Sequence, residues 1–176
     1  IKGSLGLIKS GATGELPDKL HSMLEIAYKN SDRLILLIND ILDMEKIDAG
    51  KMDFHFKPTE VLNLVTEAIE ANTGYSEKYD VTFVSSGISK QLLVNGDKDR
   101  LIQVLSNLMS NAAKFSPKGE QVEMSISRHD NFIRISVIDN GPGIPVEFRG
   151  ALFDKFSQAD SSDTRQKGGT GLGLSI

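Results

Sequence analysis

The stretch Asp99-Arg-Leu-Ile-Gln-Val-Leu-Ser-Asn-Leu-Met-Ser-Asn-Ala-Ala-Lys-Phe115 constrains the chain more than any other. Its apolar positions Leu101, Val104, Leu105, Leu108, Ala112 and Phe115 recur at helical spacing and predict one buried face. Asn107 and Asn111 nevertheless occupy its interior, although asparagine is a poor helix former. With Lys114 they stand at i, i+4 and i+7 beside the apolar stripe, so two carboxamides and an ammonium share one side at the rim of a core. A neutral amide oxygen can join a hard cation such as Mg²⁺ without adding negative charge beside phosphates, and a lysine meets phosphate oxygens as a point charge. The pattern suits a metal-nucleotide site; the plainer alternative is a surface helix whose asparagines face water.

The chain's 176 residues, 39% of them hydrophobic, suffice for a buried core in one domain, or in a domain plus an appendage. The longest apolar run of the second helical stretch, Leu34-Ile-Leu-Leu-Ile38, is far shorter than the ~20 residues of a membrane span, so any membrane contact is expected from segments outside this chain. A net charge of −4 argues against nucleic acid as a partner. The absence of cysteine excludes disulfides and thiolate metal sites and fits a cytoplasmic setting. His21, His55 and His129 are too scattered to predict a metal cluster.

Ile1, Leu5 and Ile8 repeat at helical spacing with no capping residue ahead of them, as in a chain cut from a longer one. After Gly11-Ala-Thr-Gly14, Pro17 opens a second helix. There Leu20, Leu24, Ala27, Ser31, Leu34, Ile38, Ile41 and Glu45 follow a 4-3 alternation. Such a hairpin cannot bury its own seam, and a second copy would complete a four-helix bundle through residues 1–48; packing on the rest of the same chain is the alternative. Gly50 stops the helix and sets the expected boundary between 1–50 and 51–176. Beyond it the pattern predicts a strand at Met52, Phe54 and Phe56 and a helix from Pro58 carrying Val61, Leu64, Val65, Ala68 and Ile69. A short strand at Val81 and Phe83 comes next. The Asn-bearing helix runs to Ser116-Pro117 and precedes two strands, Val122 to Ile126 and Ile133 to Val137, paired through His129-Asp-Asn131. The expected class is α+β: a helical hairpin, then an α/β sandwich with one mixed sheet and helices on one face.

Asp139 continues the phase of Ile133, Ile135 and Val137, which predicts an inward carboxylate that an exocyclic amine such as adenine's would satisfy. Asn140-Gly141-Pro142-Gly143-Ile144 follows, a turn able to approach a planar base; an ordinary Asn-Gly hairpin turn is the alternative. The polar stretch 154–170 reads as a lid or disordered loop, with Phe153 and Phe156 able to anchor its start. Gly168-Gly-Thr-Gly-Leu-Gly173 then leads toward what resembles a first helical turn, a setting that suits phosphate. Neither GxGxxG nor GxxxxGK[ST] fits.

Taken together, the chain resembles a sensor histidine kinase of two-component systems, in particular the hybrid type. Asn107 to Phe115 resembles the family's N box, Asp139 to Ile144 its G1 box, Leu152 to Phe156 its F box and Gly169 to Leu174 its G2 box. Each motif is weak alone; all four in order are specific. Leu16 to Lys51 resembles the second dimerisation helix and linker.

The resemblance implies a dimerisation hairpin at 1–50 and an ATP-binding domain at 51–176 of the histidine kinase, gyrase and chaperone ATPase type, truncated at its end. Asn111 and Lys114 would be catalytic, with Mg²⁺ at Asn111. ATP would touch Asn107, Asn111, Lys114, Phe115, Asp139, Gly141, Gly143, Ile144, Phe156, Gly169, Thr170, Gly171, Leu172 and Gly173. The partners implied are a second copy and a receiver domain. The family's acceptor histidine belongs in an H box just before Ile1, and none of the three histidines lies in such a box. The chain is therefore expected to bind ATP without labelling itself. The competing readings are a non-catalytic ATP-sensing dimerisation module and a gyrase- or chaperone-like ATPase, the last disfavoured by the hairpin.

Overall fold

The computed structural model describes residues 1–12, 14, 16–87, 92–157 and 171–175. Two compact units, Ile1–Met52 and Asp53–Ile176, divide the chain. The first is a helical hairpin of α1 (Lys2–Lys9) and α2 (Asp18–Asp48). Polar contacts tie the two helices. Lys2 pairs with Asp32 at 2.7 Å and Lys9 with Glu25 at 2.9 Å, while Lys9 Nζ stands 4.9 Å from the Tyr28 ring centroid. The apolar seam stays open within the unit. Leu20, Ile26, Leu34, Ile38 and Ile41 keep between 41% and 61% of their surface exposed. No helix among the described residues is long and apolar enough to cross a membrane.

The second unit runs β1 (Lys57–Glu60), α3 (Val61–Ala71), α4 (Thr73–Tyr79), β2 (Thr82–Gly87), β3 (Leu93–Gly96), α5 (Lys98–Phe115), β4 (Gln121–His129) and β5 (Phe132–Ile138). A 3₁₀ turn at Val146–Ala151 follows. Among the described residues the strands form two sheets instead of one. β1 pairs antiparallel with β3, while β4 lies between β2, parallel to it, and β5, antiparallel. The β4–β5 hairpin closes through Asp130-Asn131, with Asp130 at φ +50°.

The core forms where α3 and α5 cover β4. Val61, Leu64, Val65 and Ala68 of α3 meet Leu105 and Met109 of α5 over Met124 and Ile126. Val122, Met124 and Ile126 take alternate positions of β4, so all three point to the same buried face. At the other end of α5, Ala112 and Ala113 close on Val81 and Val122.

Several expectations need correction. Met52, Phe54 and Phe56 form no strand; Phe54 and Phe56 are exposed, their rings 5.8 Å apart. The strand begins at Lys57 and contains Pro58, which was expected to open a helix, and α3 starts only at Val61. The sequence pattern did not reveal α4 or β3.

Candidate active site

The buried face of α5 matches the predicted one only in part, at Leu105 and Ala112. Leu105, Met109, Ala112 and Ala113 are buried, whereas Val104 is 46% exposed. At 100° per residue the stripe is turned by roughly 75° from the expected one. Alanines pack closest to a sheet, and counting large side chains underweights them. Asn107, Asn111 and Lys114, all half-buried, therefore point nearly opposite to the core. Lys114 Nζ sits 4.6 Å from the Phe115 ring centroid.

The turn after β5 rests on the C-terminal end of α5. The Gly141 N–H donates to Asp139 Oδ1 at 2.8 Å. A Cβ on Gly141 would stand 2.7 Å from that oxygen and 3.0 Å from the Phe115 carbonyl oxygen, so a side chain here would displace the turn. Asn140 Nδ2 donates to Glu120 Oε2 at 2.9 Å, bracing the turn from the start of β4. Gly143 has φ +76° with open space where a Cβ would stand, and Ile144 is exposed. Asp139 itself is exposed rather than inward-facing, because β5 ends at Ile138 and the strand phase does not carry past it. An exposed carboxylate stays hydrated until a ligand covers it, so it needs no partner beforehand.

The second glycine motif docks two helical turns earlier. Asn107 Nδ2 donates to the Gly173 carbonyl at 2.8 Å. Leu172 is fully buried, an anchor rather than an open binding surface. Gly171, at φ +72°, would with a Cβ come within 2.8 Å of the Phe156 carbonyl carbon and 3.0 Å of the Ser157 oxygen. Phe156 also adopts a positive φ, +60°, with its ring exposed. Leu172 and Ser175 close a turn through Ser175 N to Leu172 O at 3.0 Å. Gly169 and Thr170, and the proposed lid beyond Ser157, lie outside the described residues.

One face of α5 thus joins Asn107, Asn111, Lys114 and Phe115, with Gly141 at one end and Gly173 at the other. The eight helical steps from Asn107 to Phe115 span about 12 Å. Sequence reasoning missed Glu120 as a brace for Asn140, and Ser116, whose buried hydroxyl has no hydrogen-bond partner among the described residues. The contact of Glu120 with Asn140, twenty residues away, is not a local sequence pattern.

The opposite end of α5 is polar in another way. Asp97 caps the helix, accepting from Asp99 N at 3.1 Å and Arg100 N at 3.3 Å, and also accepts from His55 N at 2.8 Å. The His55 N–H foremost, then that of Arg100, holds the Asp97 carboxyl below the usual carboxylate range. A shallow hollow lined by Asp53, His55, Asp97, Asp99, Arg100 and Gln103 opens there.

These features define an ATPase-type α/β unit preceded by a helical hairpin, and comparison with known proteins agrees. The family model described as "Histidine kinase-, DNA gyrase B-, and HSP90-like ATPase" matches residues 96–176, and "His Kinase A (phospho-acceptor) domain" matches residues 1–50. Sensor protein GacS of Pseudomonas syringae pv. syringae is 36% identical over 181 residues, covering 100% of this chain and 20% of GacS. Sensor histidine kinase WalK of Bacillus subtilis (strain 168) is 35% identical over 155 residues, covering 87% of this chain and 25% of WalK. The crystal structure of full-length ShkA in complex with AMPPNP superposes with a TM-score of 0.78 at 27% identity, covering 99% of this chain and 36% of ShkA. The chain belongs to the histidine kinase family. It spans a quarter or less of the length of these two curated relatives.

Proposed function

We propose that this chain is the dimerising and ATP-binding core of a protein-histidine kinase, taking Mg-ATP on the outer face of α5 and serving a histidine acceptor outside residues 1–176. The observation that carries this reading is the docking of both glycine motifs on one helix, Gly141 against Phe115 and Gly173 against Asn107, with Asn111 and Lys114 between them. The donor set suits the ligand. Asn111 offers a neutral oxygen to a divalent cation, Lys114 a positive charge to phosphate, and Asp139 an exposed acceptor to the adenine amine. The AMPPNP bound to ShkA supports the same assignment by likeness.

Bound Mg-ATP would supply the transferable phosphoryl group and the divalent charge that offsets its oxygens. The chain's own work is positioning. Asp139 and the Gly141 turn would fix the base, Phe115 would flank it, and Lys114 would offset charge developing on the phosphoryl oxygens. Gly143, Ile144, Phe156 and Gly171 would complete the walls, with buried Leu172 anchoring the turn that carries Gly171. The hairpin would pair with a second copy through its open seam, and the phosphohistidine would pass its phosphoryl group to a receiver aspartate.

The test is phosphorylation with [γ-³²P]ATP. The 176 residues alone should incorporate no label, while the chain extended upstream through its acceptor histidine should gain label that acid removes and alkali spares. Acid-stable label, or label on His21, His55 or His129, would refute the assignment of the acceptor. Tight ATP binding with no label in the extended protein would instead identify a non-catalytic sensor.

A further inference from the structure

Asn107 and Asn111 stand one helical turn apart on the same face, and both are natural candidates to ligate the cation. The structure separates them. The Asn107 amide nitrogen donates to the Gly173 carbonyl at 2.8 Å, and only the NH₂ end of a carboxamide can do so. A Cβ placed on Gly173 would find three Asn107 side-chain atoms, Cγ, Oδ1 and Cβ, between 3.4 and 3.8 Å, so the two residues are in close packing contact. The segment so held is anchored twice more: Leu172 is fully buried, and Gly171 is seated on the backbone of Phe156 and Ser157.

Resting on the ATP-binding reading above, we infer that Asn107 is a positioning residue: it clamps the Gly171–Gly173 turn onto α5 and leaves cation binding to Asn111. The orientation of its amide carries the argument. That bond fixes the rotation of the half-buried carboxamide and leaves its oxygen packed beside Gly173, 3.5 Å from where a Cβ would stand, and breaking it leaves the carbonyl of a docked turn without its donor. Asn107 therefore acts on nucleotide affinity through the turn. Its contribution is the same whether or not the nucleotide carries a metal.

That equality is the test. ATP affinity is measured by calorimetric titration of the 176-residue chain with excess Mg²⁺ and again with EDTA, for the unsubstituted protein, Asn107→Ala, Asn107→Asp and Asn111→Ala. A clamp predicts that Asn107→Ala weakens both titrations by the same factor, about fivefold to twentyfold for one lost hydrogen bond and its loosened turn. Asn107→Asp should be at least as damaging in both, because its carboxylate oxygen meets the Gly173 carbonyl oxygen. Asn111→Ala should lose affinity chiefly in the Mg²⁺ titration. Leu172→Ala, which loosens the same turn from its buried side, should copy Asn107→Ala, and the double variant should lose less than the sum of the two. A loss at Asn107 confined to the Mg²⁺ titration, retained affinity in Asn107→Asp, or no loss in either variant overturns the inference. If Asn107→Ala does not fold, the Asn107→Asp and Leu172→Ala comparisons decide it. Failure of the unsubstituted chain to bind ATP under either condition would count against the nucleotide-site reading itself.

Discussion

Replacing Gly141 by alanine probes the contact between the turn after β5 and the end of α5. The added Cβ would lie 2.7 Å from Asp139 Oδ1 and 3.0 Å from the Phe115 carbonyl oxygen, against an ordinary contact of 3.4 Å or more. The carboxylate must retreat by 0.7 Å (3.4 − 2.7) and the turn must lift off Phe115 by 0.4 Å (3.4 − 3.0). The first movement strains the Gly141 N–H bond to Asp139, a contribution of about 1 kcal/mol; overpacking against backbone costs about 1–3 kcal/mol in all. Because the turn is exposed and moves more easily than the core, the strain should be relieved at the site. ATP affinity should fall by about 5- to 150-fold, at 1.4 kcal/mol per factor of ten. The melting temperature should drop by less than the roughly 2–4 °C expected for each kcal/mol borne by the whole fold. Isothermal titration with ATP beside a thermal melt separates the two effects. Gly74→Ala, in α4 with open space at its Cβ and no positive φ, is the control that should bind ATP normally. If Gly141→Ala binds within twofold of the unsubstituted chain, contact between the turn and Phe115 does not shape the base site.

Three further outcomes follow from the same geometry. Asp139→Asn should weaken ATP and ADP about equally, since both share the base, whereas Asn111→Asp should harm Mg-ATP more than ADP by placing charge beside the phosphates; calorimetric titration of both nucleotides distinguishes them. Residues 1–52 should dimerise at micromolar concentration through Leu20, Leu34, Ile38 and Ile41, while 53–176 stays monomeric, as light scattering on the two pieces would show. Asp97 is held below the usual carboxylate range by the His55 and Arg100 N–H groups, so its stabilising contribution is present above that range and fades as pH falls through its lowered folded value; Asp97→Asn should flatten the acid side of the stability curve measured by urea unfolding below about pH 4.

The sequence announced α5 well, since Asp97 is a good cap and Ser116-Pro117 a clear stop, and the structure places its ends at Lys98 and Phe115. The buried side of that helix was harder to read. Ala112 and Ala113 carry little hydrophobic weight, yet their small size is what lets the helix sit close to Val81 and Val122. Phe54 and Phe56 imitated a strand through alternation alone. The real strand, Lys57–Glu60, is defined by pairing with Leu93–Gly96 more than thirty residues downstream, and no local pattern records such a pairing. At the site, residue types were legible because amides, a lysine and clustered glycines are unusual together. Their mutual contacts were not: the commitment of Asn107 to Gly173 spans 66 residues, and the outward turn of Asp139 depends on β5 ending one residue earlier than its phase suggested.

Asp97 gives α5 a mechanical meaning. Its carboxylate holds the first amides of the helix and, with its other oxygen, the backbone of His55, two residues after Asp53. The chain therefore enters the second unit moored to one end of a rigid rod about 27 Å long, the length of eighteen helical residues, whose far end bears Lys114 and Phe115. One carboxylate thus serves as a common mooring, so that losing it would free the backbone at His55 and the first turn of the rod together.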